Sequence, residues 1–240
     1  MSHTLGIRQA QKQKTRQSLL DAALGLLEEQ SLSSLGLREV TRAVGVAPTA
    51  FYRHFRSIAD LGVALVEEAL GSLHAMIRST VTNAESPDER IARAVELIAR
   101  HVDAYPAHVR FIARERHGGV QPVREAIREQ LGRFAEEVRT ELARDPQSAG
   151  WSEADLRMLA QLYVDQMLIT GSLFLEAQEA QEAQEAQKGG EAEGAREAEE
   201  ASPDSGRDAG RNAGRDEVTR RATRQLRLIS IGRRHWLDEA

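Results

Sequence analysis

Residues 45–55 read GVAPTAFYRHF, and residues 37–44 just before them read LREVTRAV. In the upstream segment Leu37, Val40 and Val44 fall on one helical face, so a short amphipathic helix is expected there. Gly45 supplies a residue able to enter the left-handed region that ends many helices. Pro48 then opens a second helix at a first-turn position, where its missing N–H is no loss. Phe51 and Phe55 lie four residues apart and face inward. Thr49, Ala50, Tyr52, Arg53 and His54 remain on the outside. Two short helices joined by a tight glycine turn make a helix-turn-helix, whose second helix presents its N-terminal residues to base edges in a DNA groove. Thr49 suits a thymine methyl or a polar contact, and Arg53 suits guanine or phosphate.

The segments on either side fit that reading. QKTRQSLLDAALGLLEE, residues 13–29, repeats Leu19, Ala23, Leu26 and Leu27 at helical spacing and predicts a longer preceding helix. Lys12, Lys14 and Arg16 crowd its start, an arrangement that opposes the helix dipole and points to an anionic partner such as phosphate. The first 60 residues carry eight basic against five acidic side chains, although the whole chain is at −5. Charge asymmetry of this kind favours a nucleic-acid partner at the N-terminus.

From residue 58 the pattern is one of long helices. IADLGVALVEEALGSLHAMIRST (58–80) carries Leu61, Leu65, Ala69, Leu73 and Ile77 on one stripe. Ser86-Pro87-Asp88-Glu89 is a capping box that starts a helix at 87. Pro106 and Gly118-Gly119 are breaks, residues 122–143 form a further helix, and Ser152 with Asp155 caps the most apolar stretch. The expected fold is all-α, with a three-helix DNA-binding domain over 1–57 and a helical effector-binding and dimerisation domain over 58–240. Within the second domain, EAQEAQEAQEAQ (176–187) and SGRDAGRNAGRD (205–216) are low-complexity repeats. Residues 176–217 hold thirteen acidic and five basic side chains and almost no large apolar one. An insertion over about 177–216 is therefore expected to be a solvated extension followed by disorder. An amphipathic helix with Leu226, Ile229 and Trp236 resumes over 218–237.

Composition excludes several classes. There is no cysteine, hence no disulfide framework or thiolate metal site, and a reducing cytoplasm is the expected location. No run approaches about 18 uninterrupted apolar residues, so no membrane span is expected. The seven histidines make no H-E-x-x-H, and neither a glycine-rich phosphate loop nor G-x-S-x-G occurs, so an enzyme is not expected. No metal site is expected either: His101, Asp103 and His108 have a nonspecific spacing. A structural helical adaptor would use the EAQ run but leaves the helix-turn-helix unexplained.

LGLREVTRAVGVAPTAFYRHF (35–55) resembles the DNA-binding signature of TetR-type transcriptional regulators, over about residues 13–65. RFIARER (110–116) and LRLISIGRRHW (226–236) further resemble the FabR/DesT group, repressors of unsaturated fatty-acid biosynthesis that sense long-chain acyl thioesters. The resemblance implies a homodimer on double-stranded DNA with a palindromic operator. It implies DNA contacts from Lys12, Lys14, Arg16, Leu37, Arg38, Pro48, Thr49, Ala50, Tyr52, Arg53 and His54, with Tyr52 and His54 on phosphates. Gly36, Thr41 and Ala50 depart from the family pattern, as does the acidic insertion.

A hydrophobic effector, long-chain acyl-CoA, is expected among the C-terminal helices, with no catalytic cofactor. Leu73, Ile77, Ile98, Val102, Phe111, Phe134 and Met167 are expected to line an acyl slot. Arg114, with Arg110 and Arg116, is expected to meet a phosphorylated carrier, since guanidinium suits phosphate. The plainer alternative is that these apolar residues are core and the arginines a charged helix face. At the level of function, the alternative is a TetR-type repressor of an efflux or catabolic operon that senses an unrelated hydrophobic molecule.

Overall fold

The computed structural model describes residues 2–81, 86–195 and 207–235. Every regular element among them is helical. In chain order they are α1 (Ser2–Leu26), α2 (Leu37–Val44), α3 (Pro48–Phe51), α4 (Ile58–Val81), α5 (Pro87–Ala104), α6 (Pro106–Glu115), α7 (Gln121–Arg144), a 3-10 turn (Pro146–Ser148), α8 (Glu153–Ala195) and α9 (Arg207–His235). The all-α expectation holds.

The helix ends follow local chemistry. The Glu89 amide donates to Ser86 Oγ (3.1 Å), and the Asp155 amide to Ser152 Oγ (3.1 Å), so both expected caps are made. Gly45 sits at φ 73°, and the Val46 amide donates to the Thr41 carbonyl (3.0 Å), the left-handed exit expected of that glycine. Gly36 has no side chain to cap α2. Glu39 reaches back instead and accepts the Gly36 amide at 2.8 Å. A further cap opens α4, where Ser57 Oγ accepts the Asp60 amide (3.1 Å) and Asp60 accepts the Arg56 amide (2.9 Å).

The chain forms two compact units. The first comprises Met1–Ala75 and Tyr105–Phe134, the second Met76–Ala104 and Ala135–Ala240. The unit that holds the helix-turn-helix is thus larger than residues 1–57. Its core joins Leu19, Leu20, Ala23 and Leu27 of α1 to Val40, Phe51, Phe55, Leu61 and Leu65, and to Phe111 and Ile112 of α6 and Val123 and Ile127 of α7. Gly62 permits the closest approach there, because a Cβ would lie 2.5 Å from Leu32 Cδ2 and 2.8 Å from Val123 Cγ2.

In the second unit α8 packs on α9, and α5 packs on both. Val95, Ile98, Val102, Leu156, Leu159, Val164, Phe174 and Leu226 are buried. Arg233, with its side chain only 5 % exposed, bonds Asp145 (3.3 Å) and Ser148, and Arg90 shares the same Asp145 oxygen at 3.3 Å. Arg233 within LRLISIGRRHW therefore anchors the end of α9 to the turn after α7.

Two expectations about the C-terminal segment change. Residues 177–195 continue α8, and α9 begins at Arg207, so the described parts of the insertion are helical rather than disordered. Residues 196–206 and Trp236 lie outside the described residues. Ala, Glu and Gln are strong helix formers, and Gln178–Glu182 (3.0 Å) and Gln181–Glu185 (3.1 Å) add pairs at i,i+4. The three-residue repeat offers no buried stripe, and almost every side chain over 179–187 is exposed. Secondly, Glu153–Gln187 is long and apolar enough by composition to cross a membrane. Its buried residues Leu156, Leu159, Val164 and Phe174 show what that apolarity does here, which is to build the core with α5 and α9.

Gly62→Ala should destabilise the first unit by about 1–3 kcal/mol through overpacking against Leu32 and Val123, measured by denaturant titration. Deleting 180–206, by contrast, should move the melting temperature by no more than about 2 °C, because the side chains over 182–187 are exposed and the segment contains no large apolar residue.

Candidate nucleic-acid interface

The reading segment has little rigidity of its own. Helix α3 is four residues long and the chain continues as tight turns, with the His54 amide donating to the Phe51 carbonyl (2.8 Å) and the Phe55 amide to the same oxygen (3.0 Å). It is fixed by burial: Phe51 and Phe55 are fully enclosed, their ring centroids 5.5 Å apart. Pinning one side leaves Pro48, Thr49, Tyr52 and Arg53 exposed, Tyr52 at 62 %. Ala50, expected outside, is half-buried. Leu37, expected as a DNA contact, packs against the core, because the α2 face that carries Val40 also carries it. Arg38 and Arg42 are exposed on the same helix.

Lys12, Lys14 and Arg16 lie on α1, which extends back to Ser2 and makes them part of a helix rather than of a loose arm. Lys12 and Lys14 are exposed. Arg16 is half-buried, its guanidinium 5.1 Å from the centroid of Phe55, a cation–π contact that joins α1 to the reading turn. The charges converge on His54. Burial, and then Lys12, Arg16 and Arg53, hold its imidazole below the ordinary histidine pKa, and its Nδ1 is buried without a hydrogen-bond partner among the described residues. Four positively inclined side chains from two separate stretches thus meet around one exposed turn. Among the described residues no carboxylate pairs with Lys12, Arg16 or Arg53, and a cluster of cations is the surface that phosphates favour.

The effector residues proposed from sequence are divided between the two units. Leu73, Phe111, Arg114 and Phe134 belong to the first unit, and Ile77, Ile98, Val102 and Met167 to the second. Phe111 is a member of the helix-turn-helix core. Ile98 and Val102 are buried, whereas Leu73, Phe134 and Met167 are half-buried; the Ile77 side chain lies outside those described. Arg114 is not free for a carrier phosphate, since Nη1 donates to the Leu27 carbonyl (2.7 Å) and the Gln30 carbonyl (2.9 Å). The orphan carbonyls at the end of α1 attract the guanidinium. Glu115, which sequence reasoning passed over, is fully buried and accepts the Leu32 amide at 2.9 Å. A charged pair closing a helix just before Gly118-Gly119 was its only sequence signal.

Residues 19–65 match the family model for bacterial regulatory proteins of the tetR family. The helix-turn-helix is of the TetR type. Solved structures agree on the fold. The fatty acid degradation regulator FadR from Bacillus halodurans has a TM-score of 0.55 at 21 % identity, over 65 % of this chain and 81 % of that one. The regulatory protein TetR from Rhodobacter sphaeroides has a TM-score of 0.53 at 20 % identity, over 87 % and 96 %. FadR from Bacillus subtilis, solved with stearoyl-CoA, has a TM-score of 0.50 at 16 % identity, over 67 % and 95 %. The TetR-type match begins at Leu19, so Lys12, Lys14 and Arg16 precede it.

Base reading and phosphate anchoring should separate. Arg53→Ala should lower operator preference by about 1–3 kcal/mol, whereas Lys14→Ala should weaken operator and random duplex about equally and flatten the salt dependence by about one charge. The His54 shift gives two opposite signs. Its depressed pKa means that the unfolded chain takes up the proton first, so the free protein loses stability as pH falls through the ordinary histidine range. DNA phosphates favour the imidazolium, so duplex affinity should rise as pH drops from about 7.5 to about 5.5, more steeply than in His54→Gln. Fluorescence anisotropy across that range measures the difference.

Proposed function

We propose that this TetR-type regulator is a homodimeric repressor of unsaturated fatty-acid biosynthesis genes that responds to long-chain acyl thioesters. The convergence of Lys12, Arg16, Arg53 and His54 around the exposed turn after α3 supports DNA binding most directly. Dimerisation is supported by the second unit. Met158, Leu162 and Ile169 are exposed at helical spacing on α8, and Leu228 (62 %) and Ile231 (52 %) on α9. An apolar surface of this kind on adjacent helices suits a two-fold contact with another copy. Two-fold symmetry would set two reading turns on successive major grooves of a palindrome, roughly 34–36 Å apart.

The acyl reading draws on RFIARER and LRLISIGRRHW, and on a neighbour in fold that was solved with stearoyl-CoA. The engagement of Arg114 within its own unit removes one expected carrier contact. That observation favours, as the second reading, a TetR-type repressor responding to an unrelated hydrophobic molecule. Titrating operator DNA with saturated and unsaturated long-chain acyl-CoA, with free coenzyme A as control, separates the two. Under the first reading the acyl ligands change operator affinity by about 1–3 kcal/mol and free coenzyme A does not; equal effects of all three, or none, favour the second. Leu228→Glu should also convert the dimer to a monomer in sedimentation, with loss of operator binding at low protein concentration.

A further inference from the structure

The loop between α1 and α2, residues 27–36, is held by two adjacent side chains that lie far away in sequence. Arg114 takes the carbonyls of Leu27 and Gln30, and Glu115 takes the amide of Leu32. A cation on the carbonyls and an anion on the amide, both at the end of α6, thus hold the loop at three backbone groups. Leu32 is buried beneath it against Gly62 and Val123. Five residues later the loop becomes α2, and α2 leads through Gly45 to the reading turn.

Glu115 Oε2 is buried with no hydrogen-bond partner among the described residues, and a half-satisfied buried carboxylate is unfavourable. The room for it comes from Gly118, where any Cβ would overlap Oε2. A carboxylate kept in place despite that penalty, with a glycine cleared beside it, is explained by what it positions.

We propose that Arg114 and Glu115 are positioning residues for DNA recognition, which set the orientation of α2 and α3 from outside the matched helix-turn-helix. The inference rests on the DNA-binding reading above. Its test uses the full-length chain and a duplex selected from random sequences by the wild type. Glu115→Ala should lose about tenfold in affinity for the selected duplex while random duplex stays within about twofold, because Lys12, Lys14 and Arg16 are untouched. Glu115→Gln keeps an acceptor for the Leu32 amide and should bind like the wild type. Gly118→Ala, which alters no contact residue, should shift affinity in the same direction as Glu115→Ala. Amide exchange should quicken over residues 32–55 in Glu115→Ala and stay unchanged over 218–230.

Failure is informative in two separate ways. A wild type that selects no duplex overturns the DNA-binding reading, and this inference with it. A wild type that selects one while Glu115→Ala matches it, loses both duplexes equally, or leaves exchange over 32–55 unchanged overturns this inference alone.

Discussion

A four-residue helix cannot hold its own shape. Nucleating a helical turn fixes several torsions for one hydrogen bond, and α3 never reaches the length at which propagation repays that. Its order is therefore borrowed. Phe51 and Phe55 are driven out of water into the core of α1, α4, α6 and α7, and the exposed residues between them inherit a fixed direction. The same core explains why the compact unit includes residues 105–134: Phe111, Ile112, Val123 and Ile127 are buried in it beside Phe51 and Phe55.

Electrostatics then acts on a surface that packing has already set. Arg16 lies over the Phe55 ring, so one guanidinium contributes both to the seating of the turn and to its charge. His54 sits where burial and three cations disfavour its protonated form, and a bound phosphate would reverse the balance. The second unit uses charge in the opposite way. Arg233, Asp145 and Arg90 form a largely enclosed network that ties α9 to the turn after α7 and to α5.

Much of this was legible in the sequence where the signal was local. Gly45, Pro48, Ser86 and Ser152 act through their own backbone neighbourhood, and each produced the turn or cap expected of it. The amphipathic stripes of α1, α2 and α4 are periodic and were equally plain. What escaped were contacts between residues far apart in the chain. Nothing around Arg114 or Glu115 in sequence announces a loop more than eighty residues upstream, so an arginine that caps carbonyls looked like one waiting for a ligand. The EAQ repeat misled for another reason: lack of large apolar side chains argues against a core, but helix formation by Ala, Glu and Gln does not require one.

That last feature has a bearing on how the chain can change over evolutionary time. Each further EAQ triplet would lengthen the exposed part of α8 by about 4.5 Å and turn its end by about 300°. Since the side chains over 182–187 face solvent, triplets added there would leave the buried residues of α5, α8 and α9 in place. A gain or loss of whole triplets within the exposed stretch 182–187 displaces no buried side chain. Repeat number in this arm is accordingly free to drift while the reading head and the bundle stay fixed.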